Sequence, residues 1–146
     1  MKISLLLVLL SFGFVRLAIA AEAPPTDVVM FDHGKVDAAF AKGMALMANS
    51  SYKISAGRRV TAGTVEVHEK DTDVFFVTEG SATFVTGGTV VASTTSAPGE
   101  IRGKAITGGV THKLTKGDVI VIPKGVPHWF TEVDGTFLYF VVKVTQ

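Results

Sequence analysis

The pattern of apolar and polar positions changes character twice along the 146-residue chain. It opens on MKISLLLVLLSFGFVRLAIA, one basic residue followed by a long apolar run broken only near its end by Arg16. Residues 35–48, KVDAAFAKGMALMA, then place Phe40, Met44 and Met47 at helical spacing. This predicts a helix packed on the outside of the domain, capped by Asp32 or His33, with Gly43 as a weak point within it. From Tyr52 onward the period shortens. Runs such as TVEVHE, VFFVTEG, SATFVTGG, VIVIPKG and TFLYFVVKV alternate with Gly, Pro and Asp turns. Short β-rich runs at this spacing predict an all-β sandwich or barrel. VTGGTVV reads as a hairpin with a Gly-Gly turn. Residues 93–111, rich in Gly, Ser and Thr, read as the longest polar connection.

The first twenty residues have the form of a secretory signal peptide, with a small-x-small end at Ala18-Ile19-Ala20. A transmembrane anchor is the competing reading; Arg16 and the small residues at the boundary favour cleavage after Ala20 or Ala21. The expected organisation is a signal peptide over 1–20, an extension with a helix over 21–50 and a β-domain over 51–146, in a secreted or periplasmic protein. Cleavage takes Lys+Arg from 14 to 12 against 13 Asp+Glu, a net charge of −1. A near-neutral surface offers no footprint for nucleic acid or for anionic lipid, so neither nucleic acid nor membrane is an expected partner of the mature chain. There is no cysteine. Disulfides, thiolate zinc sites and cysteine nucleophiles are therefore excluded.

The chemistry concentrates in VEVHEKDTDVFFVTEG, residues 65–80. On a strand, Glu66 and His68 share a face with Thr64. Glu69–Thr72 is polar and turn-like, and a hairpin closing across it brings Asp73 beside them. Carboxylate oxygen together with imidazole nitrogen suits Mn, Fe, Zn, Ni or Co. Far along the chain, His128 sits in KGDVIVIPKGVPHWF with rigid Pro and Gly framing. Parity puts Phe130 on its face as a cavity wall and Trp129 on the other. Phe75, Phe84 and Tyr139 are core candidates. An inward member of the Arg58-Arg59 pair would clamp a carboxylate. His33 and His112 are expected in solvent, Asp118, Lys124 and Glu79 in turns, and Glu132 at an exposed strand end.

These two stretches resemble the signature motifs of the cupins. Gly117, five residues, Pro123, one residue, Gly125, two residues and His128 match the second motif. The first motif places two histidines, an acid and a glycine where this chain has Glu66, His68, Asp73 and Gly80. The resemblance implies a cupin-type double-stranded β-helix, a jelly-roll barrel, here with a short N-terminal helix. It implies a divalent transition metal held by His68, Asp73 and His128, with Glu66 as fourth ligand or as catalytic general base. Glu66 for His and Asp73 for the longer Glu depart from the pattern, yet both are oxygen ligands. The implied function is a metalloenzyme acting on a small molecule, of Lewis-acid isomerase, lyase or dioxygenase type. The alternative is a non-catalytic small-ligand-binding or metal-free structural cupin. A homodimer is implied in each case.

Overall fold

The computed structural model describes residues 22–146; the expected signal peptide lies outside the described residues. Helix α1 (His33–Lys42) starts at Asp32, whose Oδ1 accepts the Lys35 N–H at 2.9 Å. It stops at Gly43, left-handed at φ 65°, whose N–H reaches back to the carbonyls of Ala39 and Phe40. The helix is thus shorter than the expected 35–48. Glycine takes the left-handed C-cap conformation without penalty. Met44 and Met47 fall beyond the cap, and Ala45–Ala48 forms strand β1 instead. As expected, α1 lies outside the β-domain, with Phe40 edge-on to Phe140 at 4.9 Å.

The remaining strands are β2 (Tyr52–Arg59), β3 (Val65–His68), β4 (Asp71–Thr86), β5 (Thr89–Val91), β6 (Thr94–Ala97), β7 (Glu100–Gly103), β8 (Ala105–Thr107), β9 (Val110–Thr115), β10 (Val119–Ile122) and β11 (His128–Thr145). One run of neighbours is β1-β2-β11-β3-β7-β6, while β4 pairs with β9, β10 and β11. The long strands β4 and β11 pair antiparallel from His128↔Thr86 to Thr145↔Asp71, and both carry the chain round the barrel. The architecture is all-β with one short helix, as expected.

Two local expectations change. Strands β3 and β4 do not form a hairpin: β3 pairs with β7 and β11, and β4 pairs elsewhere. Glu69-Lys70 is a corner between strands of different neighbours. Gly87 and Gly88 do turn, both at positive φ, but β5 leaves β4 to pair with β8. The stretch expected as a polar connection holds β6, β7 and β8.

The inward face follows period two with a switch. Asp73, Phe75 and Val77 are buried, then Ala82 and Phe84. The parity changes at Gly80, at φ 77°, where the pairing with β11 slips between Asp134 and Leu138. Phe75, Phe84, Phe130, Phe137 and Tyr139 fill the interior with Val77, Ile122 and Leu114. Phe84 and Phe130 pack with ring centroids 4.5 Å apart.

Candidate metal centre

Three strands meet at one end of the interior. Glu66 on β3 stands opposite His128 on β11, and His68 stands opposite Glu100 on β7. Residues facing each other across antiparallel strands have side chains close enough to interact. The Pro/Gly framing of His128 acts as expected: Gly125, at φ 78°, donates its N–H to the His68 carbonyl at 2.8 Å and ties the loop before β11 to β3.

Each histidine has a fixed outer nitrogen. The His68 Nδ1–H donates to Glu100, 2.9 Å from both carboxylate oxygens. The His128 Nδ1–H donates to the Val126 carbonyl at 3.0 Å. A carboxylate and a carbonyl only accept, so in each neutral ring Nε2 is left with its lone pair. Both Nε2 atoms are buried and have no hydrogen-bond partner. Buried polar atoms without partners are rare and call for a ligand or ion. Glu66 Oε2 lies 3.6 Å from His68 Nε2 and 3.9 Å from His128 Nε2, and the three ligand atoms fall within 4.8 Å of one another. Metal–ligand bonds of about 2.0–2.2 Å place ligand atoms about 3–4 Å apart. The set therefore fits a divalent transition metal.

Asp73 reaches the same place from β4. Its Oδ2 lies 3.6 Å from His68 Nε2 and 3.9 Å from His128 Nε2. Lys143 on β11 donates to both of its oxygens, at 2.7 and 2.8 Å. The compact ligand set is Glu66, His68 and His128, with Asp73 beside it and held by Lys143.

The charges reinforce one another. Burial alone pushes the Glu66 carboxyl up, but neighbouring His68 and the positive charges of Arg102 and Arg59 outweigh it and hold it at about 2. Burial disfavours charge on His68, yet Glu66, Asp73 and Glu100 raise its pKa overall. Burial lowers that of His128, which favours the neutral ring.

A cavity of about 220 Å³ opens beside the site, walled by Phe75, Trp129, Phe130 and Tyr139 and floored by Glu66, Asp73 and His128. Phe130 walls it as expected. Trp129 also reaches the wall, against expectation, because its Nε1–H is drawn 2.7 Å from the Gly63 carbonyl. Phe84 is core alone, while Phe75 and Tyr139 are both core and wall. Of the arginine pair, Arg58 is exposed and Arg59 lines the cavity. His33 is exposed on α1. His112 is half-buried away from the cavity, its Nε2 2.8 Å from Thr86 Oγ1. Asp118 accepts from the Thr115 N–H at 2.7 Å in its turn. Exposed Glu132 accepts from Thr83 Oγ1 at 3.2 Å. Glu79 is exposed within β4 and not in a turn.

Three residues at the site were not singled out in the sequence: Glu100, Arg102 and Lys143. Arg102 Nη1 donates to Glu100 at 3.2 Å. Glu100 and Arg102 share a face by period two, directly after the Pro98-Gly99 turn. Lys143 continues the inward series Tyr139, Val141. Both patterns are present in the sequence.

The sequence profile of the cupin family matches residues 42–146, and the chain belongs to that family. No curated protein matches it. Among solved structures it is similar to a Bacillus halodurans protein at 12% identity, covering 87% of each chain with a TM-score of 0.59. It is similar to a Klebsiella pneumoniae protein with a double-stranded β-helix domain at 14% identity, covering 82% of this chain and 91% of that one, with a TM-score of 0.55. It also matches DMSP lyase DddQ from Ruegeria pomeroyi at 17% identity over 67% of this chain, with a TM-score of 0.47, and spans 40% of that protein's length. The likeness to the Bacillus and Klebsiella proteins is one of fold alone.

Proposed function

We propose that this cupin binds a divalent transition metal (Mn, Fe, Zn, Ni or Co) through Glu66, His68 and His128, with Asp73 as a further oxygen ligand, and acts as a metalloenzyme on a small molecule. The observation that carries this reading is the convergence of two buried, unpartnered Nε2 atoms, each with its other ring nitrogen already committed, on the Glu66 carboxylate.

When bound, the ion would act as a Lewis acid and template for an oxygen-bearing substrate, or activate oxygen if it is iron. Glu66 is ionised and borders the cavity, and a carboxyl held this low is a weak base, so it would serve as a ligand in preference to a proton acceptor, and not as an acid. Burial raises the Tyr139 pKa, so the phenol keeps its proton. Its oxygen accepts from Arg59 Nε at 3.0 Å, which leaves the phenolic O–H free to donate to a substrate. Phe75, Phe130 and Trp129 exclude water from the wall.

Metal analysis of the protein purified without chelator tests the reading, with His68→Ala and His128→Ala beside it. Near-stoichiometric metal lost in both variants is expected. A wild-type protein that takes up none of the five ions overturns it and leaves the non-catalytic or structural cupin. We infer further that the chain is exported, on the pattern of residues 1–20; N-terminal sequencing of the secreted or periplasmic protein checks cleavage after Ala20 or Ala21. A homodimer is supported by the apolar outer face where Val119 pairs with Phe76 and Val121 with Val74. Val119, Val121 and Phe76 are 63%, 55% and 45% exposed, and light scattering reads the mass.

A further inference from the structure

Arg59 makes no ion pair among the described residues. It projects from the end of β2 into the cavity, and among the described residues no carboxylate lies within 4.0 Å of it. Of the neighbouring cations, Lys143 is paired with Asp73 and Arg102 with Glu100, while Lys53 on the cavity lining is exposed to solvent. An arginine left this way in a walled cavity keeps its donors for something that enters.

The guanidinium is also held in place. Its carbon sits 4.4 Å over the centre of the Phe130 ring, a cation–π contact. Its Nε–H donates to the Tyr139 hydroxyl at 3.0 Å, its one hydrogen bond among the described residues. Gly63 leaves room for it: a Cβ there would stand 2.7 Å from Nη1. Gly63 is itself pinned on both sides. Its N–H donates to the Phe130 carbonyl at 2.9 Å and its carbonyl accepts from Trp129. The face that remains is the Nη1/Nη2 edge, whose paired N–H groups match the two oxygens of a carboxylate.

We propose that Arg59 is the anchor for a carboxylate group of the substrate, which makes the ligand class a small organic acid with an apolar or unsaturated body. The aromatic wall takes the body, and the opposite end of the molecule faces Glu66 and His128. A cavity of about 220 Å³ is the space of roughly seven waters, which bounds the acid to a compact molecule. The proposal deepens the metalloenzyme reading in naming the substrate class, but the anchor itself does not depend on a bound ion.

The test is a calorimetric and NMR titration of the wild-type protein with benzoate and lactate against their neutral counterparts benzamide and lactamide. It is run with the metal-loaded protein and again after chelation. Each acid is expected to bind at least tenfold more tightly than its amide in both states, and Arg59→Gln is expected to remove that preference while metal content stays unchanged. Arg59→Lys should recover only part of it, since an ammonium cannot offer the paired edge. Equal binding of acid and amide, or a preference that survives in Arg59→Gln, overturns the proposal. If Arg59→Gln does not fold, the wild-type comparison alone decides. Metal content is measured separately, so failure of the metal reading leaves the chelated arm to judge the anchor.

Discussion

The carboxylate of Glu100 spans the Nδ1–H of His68 with both oxygens at 2.9 Å, and it does so because the two residues face each other across β3 and β7. This contact fixes the ring's tautomer and rotation, and aims Nε2 at the point shared with Glu66 and His128. Outer partners of ligand histidines set both orientation and basicity. Glu100→Ala is therefore expected to weaken metal binding about 10–100-fold while the fold is retained. Competition against a chelator of known affinity measures it. Unchanged affinity would separate Glu100 from the metal site.

Lys143 and Asp73 make a second prediction. Asp73 is 2% exposed, and Lys143 is its charge partner. Removing one member of a buried pair leaves the other charge uncompensated, at a cost of about 3 kcal/mol or more. Lys143→Met should lose about that much in urea denaturation of the metal-free protein. Added metal should return a large part of the loss, because the freed carboxylate then faces a cation. An equal metal-induced gain in wild type and variant would show that Asp73 has no contact with the ion.

How much of this was legible is clearest at particular residues. Gly and Pro punctuation marked the strands, and the Pro123–Gly125 frame pointed to His128. Period two placed Glu66 with His68 and Phe130 with His128. What failed was pairing. Nothing local in Glu69-Lys70 tells a hairpin from a corner, because that choice depends on which distant strand fills each edge. The partner of β3 is β7, and its sequence EIRG lies in a polar stretch with weak strand propensity, where tertiary context decides. Glu100 and Arg102 were hidden for that reason. Gly43 was different: its stop signal was present, and the helical spacing of Met44 and Met47 beyond it was coincidence.

The acid limb of stability follows from Glu66. Its folded pKa of about 2 lies below the ordinary 4.5, so its contribution is full above pH 4.5 and is lost as pH falls toward 2. The shift corresponds to about 3 kcal/mol. His68 has the opposite sign. Its pKa is raised, so its contribution is full below the unfolded value and is lost as pH rises through the folded one. His128, with its pKa lowered by burial, opposes His68: its contribution is present above the unfolded value and is lost as pH falls, so the clear limb is that of Glu66, and Glu66→Gln should flatten it below pH 4.5. Urea midpoints across pH 2–8 measure both. Metal must displace the His68 proton, so its affinity should fall as the solution is acidified, with proton uptake on release.

Gly80 is where the inward face changes parity, from Asp73, Phe75 and Val77 to Ala82 and Phe84. Its φ of 77° is left-handed, and a Cβ there would collide with the Thr136 carbonyl, which belongs to the paired strand. The conformation alone costs a non-glycine residue about 1–3 kcal/mol, and the collision adds to it because backbone cannot rotate away. A strand that relieved both by straightening would turn either Asp73 or Phe84 out of the interior, since one residue of slip reverses every side chain. Gly80→Ala should therefore lose both stability and metal: a urea midpoint lower by the equivalent of at least about 2 kcal/mol and a metal content below one in the surviving folded fraction. Gly117→Ala is the control. Its φ is also positive, at 97°, but a Cβ there meets nothing within 4 Å, so it should lose stability through conformation alone and keep its metal. Equal loss of metal in both variants would mean that the parity switch does not set the position of Asp73.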